Sequence, residues 1–113
     1  GFRVILLDAV PQQAERVRQV LLQDPQILHA RNLGAQTDAQ LRIAHETHEA
    51  ADADLVIETI AENFTAKSSF LAEVSRNARG GALIASNTSS LSITQLSSSV
   101  IRPERFCGMH FCH

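Results

Sequence analysis

Apolar positions along the chain fall into two kinds of run. In "FRVILLD" (2–8), "DLVIETI" (54–60) and "GALIASNT" (81–88) branched and leucine side chains follow one another without a polar period. Short runs of this kind read as strands, and the first, closed by Asp8, has the pattern of a strand buried on both faces. Between them the period lengthens. Val10, Ala14, Val17, Val20 and Leu21 recur at three- and four-residue steps after Pro11, so residues 10–23 read as an amphipathic helix that Pro25 ends. Asn63 is a good cap for a second helix through Phe64, Lys67, Leu71 and Val74 to about Asn77. Ser92 with Gln95 three residues on makes a capping box for a short helix through Leu96. "LRIAHE" (41–46) reads as a short strand and "RFCGMHFC" (105–112) as a last one, while 24–36, with Pro, Asn and Gly, reads as a loop or short helical excursion.

Strands alternating with helices over such short connections require parallel pairing through crossovers, hence an α/β layered fold. With 113 residues, 44% of them hydrophobic, the chain has the size of one domain with one packed core. A formal charge of −2 without any block of like charge implies neither nucleic acid nor an anionic membrane as partner. No apolar run reaches the roughly 20 residues that span a bilayer, and "GFRVILLD" lacks the regions of a signal peptide. These features fit a cytoplasmic enzyme or binding domain.

In such folds ligands gather at the carboxyl ends of the strands. Asp8 stands where a dinucleotide-binding unit places its acid on the adenosine ribose, although no glycine fingerprint precedes it in the chain; its alternative role is to cap the following helix. Glu58 and Glu62 follow the strand at 54–60, where a lone glutamate is usually a solvated partner of a helix dipole. The terminal "FCGMHFCH" raises the possibility of a metal site. On a strand, however, His110 and Cys112 face one way and Cys107, Met109 and His113 the other, and no second ligand pair is present, so no metal is expected and both cysteines read as small apolar core residues.

"ASNTSSLSIT" (85–94) followed by "RPERFCGMHF" (102–111) resembles the NAD-binding domain of the 3-hydroxyacyl-CoA dehydrogenases, including the 3-hydroxybutyryl-CoA enzymes. "DLVIETIAEN" with Lys67 is similar to the preceding segment of that family, and "GFRVILLD" to its second strand. The serine/threonine tract, with Ser89 placed 21 residues before His110, is the most specific part. The resemblance implies a Rossmann-type, doubly wound, mostly parallel sheet, truncated at both ends. It implies NAD as cofactor, a 3-hydroxyacyl-CoA or related acyl thioester as substrate, and a homodimer when intact. His110 falls on the catalytic base and Ser89 on the group that hydrogen-bonds the reacting oxygen and the cofactor. Asp8, Glu62 and Lys67 fall on cofactor-contacting positions, and Asn87 on a polar position near the nicotinamide. The competing roles are a buried strand histidine for His110 and a solvated helix residue for Lys67.

The chain departs from that family in several places. The family's first strand and Gly-rich turn would precede Gly1, and the glutamate that orients its histidine would follow His113. His113 itself replaces an asparagine that contacts the cofactor. The region between Asp8 and Glu62, which carries the coenzyme A hairpin in the family, is shorter here. A dehydrogenase of a carrier-protein-tethered hydroxyacyl group and a non-catalytic dinucleotide-binding module are therefore the alternatives. In a sheet of order 3-2-1-4-5-6 without its central strand, 2–8 should pair with 41–46, and the strands at 54–60, 81–87 and 105–112 should form a separate group. A carboxylate at Asp8 accepts from two ribose hydroxyls and repels a 2′-phosphate, so steady-state kinetics of the intact protein should favour NAD over NADP. Equal efficiency with NADP would remove the ribose role from Asp8.

Overall fold

The computed structural model describes residues 3–32 and 41–112. These form β1 (Val4–Leu7), α1 (Pro11–Gln23), α2 (Pro25–Asn32), β2 (Leu41–Ala44), a 3₁₀ turn (Thr47–Ala50) and β3 (Leu55–Glu58). There follow α3 (Phe64–Asn77), β4 (Leu83–Ser86), α4 (Ile93–Ser97), a second 3₁₀ turn (Pro103–Arg105) and β5 (Phe106–Gly108). All pairing among them is parallel: β1 with β2 in one sheet, and β3, β4 and β5 in that order in another. The two groups are those expected from a Rossmann-type order lacking a central strand. The chain divides into two compact units, Gly1–Glu49 and Ala50–His113.

In the first unit α1 starts at Pro11, and just before it Asp8 Oδ1 accepts from Val10 N at 2.7 Å. Asp24 Oδ1 accepts from Gln26 N at 2.8 Å, so the Asp-Pro pair that ends α1 also begins α2. The segment read as loop or short helix is helical as far as Asn32; its remainder, 33–36, lies outside the described residues. β1 is not buried on both faces. Val4 is 44% exposed, and among the described residues of this unit α1 is the helix seen packed on the two strands. Of the periodic apolar residues of α1, Ala14 alone is buried.

The second unit holds the denser core. Leu71 and Val74 of α3, Ile84 of β4, Leu96 of α4 and Val100 form one buried cluster, with Val56, Phe70, Leu91, Ile93 and Phe106 packed against it. Asn63 caps α3 as expected, its side chain accepting from Ala66 N at 2.9 Å, and Ser92 caps α4 by accepting from Gln95 N at 3.3 Å. Gly108 lets α4 lie close to β5, since a Cβ there would stand 2.9 Å from Ile93 Cγ1.

β5 is shorter than the strand read at 105–112, and this corrects two expectations. Met109 N still donates to Ser86 O at 2.9 Å, but Phe111 N, two residues on, turns to the Asn87 side chain instead of continuing the ladder. The strict alternation of side chains therefore stops at Gly108, before His110. The cysteines are not core residues: Cys107 and Cys112 are both exposed. Phe106 takes the core-facing position of the edge strand, so its neighbour Cys107 points away, and Cys112 lies past the strand end. Among the described residues no three of His, Cys, Asp and Glu gather as a possible metal-holding group. His113 lies outside the described residues.

Leu71 is fully buried at the centre of the core. Leu71→Ala should lower the unfolding free energy of the intact protein by about 2–5 kcal/mol, measured by denaturant titration. A loss below about 1 kcal/mol would mean that the cluster does not carry the stability assigned to it.

Candidate functional site

The carboxyl ends of β3 and β4 meet at a register pair, Glu58 opposite Ser86. Both side chains are buried, Glu58 at 1% exposure and Ser86 at 0%. Glu58 Oε2 accepts from Ser86 Oγ at 2.6 Å, while Oε1 accepts from Ile60 N at 2.7 Å and from Lys67 Nζ at 2.6 Å. A buried carboxylate is tolerable only when paired and hydrogen-bonded, and here both oxygens are engaged. Lys67 reaches the pair from the first turn of α3, donates to Ile60 O at 3.0 Å as well, and is itself 1% exposed. It is therefore not a solvated helix residue.

Lys67 Nζ also lies 3.6 Å from Glu62 Oε2. The other oxygen of Glu62 faces the hydroxyl-rich turn after β4. It accepts from Thr88 Oγ1 at 2.5 Å, from Ser89 N at 3.0 Å, and from Ser90 N and Oγ at 3.1 Å each, and Ser89 Oγ stands 3.4 Å away. Thr88 Oγ1 in turn accepts from Leu91 N at 3.0 Å. A carboxylate in such a nest of donors is stabilised in its charged form. The Thr88 hydroxyl foremost, then the donors of Ser90 and Ser89, hold Glu62 well below its ordinary value, at about 2, against a smaller opposing effect of desolvation.

Asn87 joins this turn to β5. Its backbone N donates to Glu58 O at 2.8 Å. Its side-chain Oδ1 accepts from Phe111 N at 2.8 Å and lies 3.2 Å from His110 Nδ1. His110 is exposed, which rules out the buried strand histidine satisfied by backbone. The second unit thus brings together Glu62, Lys67, Asn87, Ser89 and His110, whereas Asp8 belongs to the first unit, exposed and bonded to Val10 N. That local bond ends on Val10, the residue before α1, so Asp8 does not cap the helix.

Three residues that sequence reasoning left aside prove structural to the site. Glu58 was discounted as a solvated partner and is buried beneath it; the usable signal was an acid ending an apolar strand ahead of the chain's only lysine. Ser86 and Thr88 carried no separate signal, since a tract rich in hydroxyls does not reveal which of them point inward.

The Glu62 cluster has a measurable consequence. Because its folded value is depressed, the folded chain binds fewer protons than the unfolded one between pH 4.5 and about 2. Its stabilisation is complete above that window and lost as pH falls through it. Carboxyl ¹³C NMR of the intact protein should place the Glu62 midpoint near 2, and a midpoint at the ordinary 4.5 would contradict the hydrogen-bonded nest.

Comparison with known proteins gives the same direction throughout. Residues 1–113 match the family model described as 3-hydroxyacyl-CoA dehydrogenase, NAD binding domain. The chain is 35% identical, over an alignment of 122 positions covering 98% of it, to a probable 3-hydroxybutyryl-CoA dehydrogenase of Bacillus subtilis strain 168, and spans 40% of that protein. It is 45% identical over 76 residues, 67% of its length, to the fatty acid oxidation complex subunit alpha of Acinetobacter baumannii strain AYE, and spans 11% of that subunit. Among solved structures, (S)-3-hydroxybutyryl-CoA dehydrogenase PaaH1 from Ralstonia eutropha superposes with a TM-score of 0.81 at 27% identity, over 97% of this chain and 41% of that one. The parallel order of β3, β4 and β5, the hydroxyl-rich turn and the full-length match agree, and the chain belongs to the family of NAD-binding domains of 3-hydroxyacyl-CoA dehydrogenases.

Proposed function

We propose that the protein carrying this chain is an NAD-dependent 3-hydroxyacyl-CoA dehydrogenase in which His110 is the base and Ser89 the partner of the reacting oxygen. One observation carries the reading. An exposed imidazole, held by Asn87, and an exposed hydroxyl two residues beyond Asn87 lie in the segments that follow the parallel strands β5 and β4.

The groups present suit such a cofactor. Glu62 is kept ionised by its donors, and an anion suits the positive ring of oxidised nicotinamide. Asp8 at the end of β1 suits the ribose hydroxyls. When bound, NAD accepts the hydride from substrate C3. His110 takes the hydroxyl proton from the same substrate and returns it in the reverse direction. Ser89 Oγ donates to that oxygen as it becomes a carbonyl. Lys67, buried against Glu58 and Glu62, serves the cofactor side by keeping Glu62 in place.

The acyl carrier is coenzyme A in this reading. The shorter region between Asp8 and Glu62 favours, as the second reading, a hydroxyacyl group tethered to a carrier protein. Among the described residues no helix is long and apolar enough to cross a membrane. The homodimer is what the family resemblance implies and is open to sizing of the intact protein; the cytoplasmic place rests on the sequence features alone.

The intact protein should reduce NAD with 3-hydroxybutyryl-CoA, and His110→Gln should lower kcat by at least about 100-fold. Turnover with a carrier-protein thioester alone would select the second reading. Unchanged kcat in His110→Gln would end the assignment of the base.

A further inference from the structure

We infer that the arginine-lined recess at the amino ends of β4 and β5 is a binding site for a phosphoryl group, separate from the site at the carboxyl ends of the strands. This second site is independent of the dehydrogenase reading.

All four arginines of the second unit line one recess of about 220 Å³. Arg76 lies in the last turn of α3 and Arg79 just past its cap, while Arg102 and Arg105 bracket the 3₁₀ turn before β5 at the same spacing. Side chains three residues apart on a helical turn share a face, so each pair presents two guanidinium groups together. The second pair is fastened to the segment between α3 and β4. Arg102 Nη1 donates to Gly80 O, and Arg105 Nη1 donates to Gly81 O at 3.0 Å. Gly80 permits this approach, since a Cβ there would stand 2.5 Å from Arg102 Nη1.

Local roles account for part of the arrangement. Cations suit the negative end of a helix, which covers Arg76 and Arg79, and Arg79 also pairs with Asp54. One carbonyl takes one donor from Arg102 and another takes one from Arg105, whereas a guanidinium carries five. Arg76, Arg102 and Arg105 have no carboxylate partner among the described residues, and no acid lines the recess. Four like charges around one space repel one another, and an anion in that space is attracted to all of them.

The lining narrows the ligand further. Planar forks of N–H donors match the oxygens of phosphate two at a time, and a phosphoryl group has enough charged oxygens to engage more than one fork. The volume is below the roughly 300–1,000 Å³ of pockets for drug-sized molecules, so it takes a compact group rather than the broad face of an acidic protein. Buried Ala82 and Ile84 also line it, and beside buried apolar surface the attraction is screened less than in open water. Ser89 and His110 follow the carboxyl ends of β4 and β5, so a ligand in the recess lies at the other end of the same parallel strands.

Calorimetric titration of the intact protein with pyrophosphate, at saturating NAD so that a dinucleotide site is already filled, should show one saturable site with Kd below about 1 mM. Arg76→Gln, at an exposed position, should weaken binding by about fivefold or more. Arg16→Gln, which removes the same charge from an exposed position of α1, should change it by less than about twofold. In wild-type protein labelled with ¹⁵N-arginine, Nε–H signals should shift during the titration, a readout that needs no variant. Adenosine diphosphate in parallel separates two sources of the phosphoryl group: tighter binding than pyrophosphate identifies a nucleotide, and equal or weaker binding a free anion. No saturation up to about 10 mM, unmoved arginine signals, equal losses in Arg76→Gln and Arg16→Gln, or a response seen only without NAD overturns the inference. Failure of the dehydrogenase reading would leave each of these outcomes unchanged.

Discussion

A buried carboxylate, Glu58, is the constraint on which the second unit depends. It sits at 1% exposure opposite Ser86 in the register of β3 and β4, and an isolated charge in that position would be prohibitive. The chain meets the requirement with its only lysine, delivered from the first turn of α3, together with the Ser86 hydroxyl and the Ile60 N–H. Removing one member of a buried pair typically destabilises by about 3–5 kcal/mol because the other charge is left uncompensated. The pair therefore acts less as a source of stability than as a condition on geometry. Strand β3, strand β4 and helix α3 must all arrive together.

From that condition the exposed chemistry follows outward in short steps. Lys67 also lies 3.6 Å from Glu62, and Glu62 draws the hydroxyls and amides of residues 88–90 around its other oxygen. Asn87 starts from the Glu58 carbonyl and ends on His110 and Phe111. Ser89 and His110 are both exposed, yet each is one hydrogen-bonding partner away from a group tied to the buried pair. Positioning of this kind, in which supporting groups orient an exposed hydroxyl and imidazole, is what the proposed function requires of them.

The first unit is built differently. Its bonds near the helix starts are local, Val10 N to Asp8 and Gln26 N to Asp24, and its two-stranded sheet buries little. Local bonds such as that of Asp24, next to Pro25, can be satisfied within a few residues of sequence, whereas the second unit relies on contacts between residues as far apart as Glu62 and Ser90.

That contrast separates what the sequence by itself determined from what only the tertiary structure decided. The caps at Asn63 and Ser92, the parallel α/β alternation and the grouping of the strands were legible, because turn chemistry, hydrophobic period and crossover length act locally or through topology. His110, Ser89, Glu62, Lys67 and Asn87 were legible as a family pattern. The geometry that joins five of the six predicted site residues, and leaves Asp8 in the other unit, was not. Local pattern cannot tell a buried glutamate from a solvated one, so Glu58 reads as solvated in the sequence although Ser86 and Lys67 close around it. Nor can it foresee a side chain replacing a backbone acceptor, as Asn87 does for Phe111, ending β5 early and leaving Cys112 exposed past its end. Those outcomes depend on which distant groups a donor or charge meets, and only the folded chain brings them within reach.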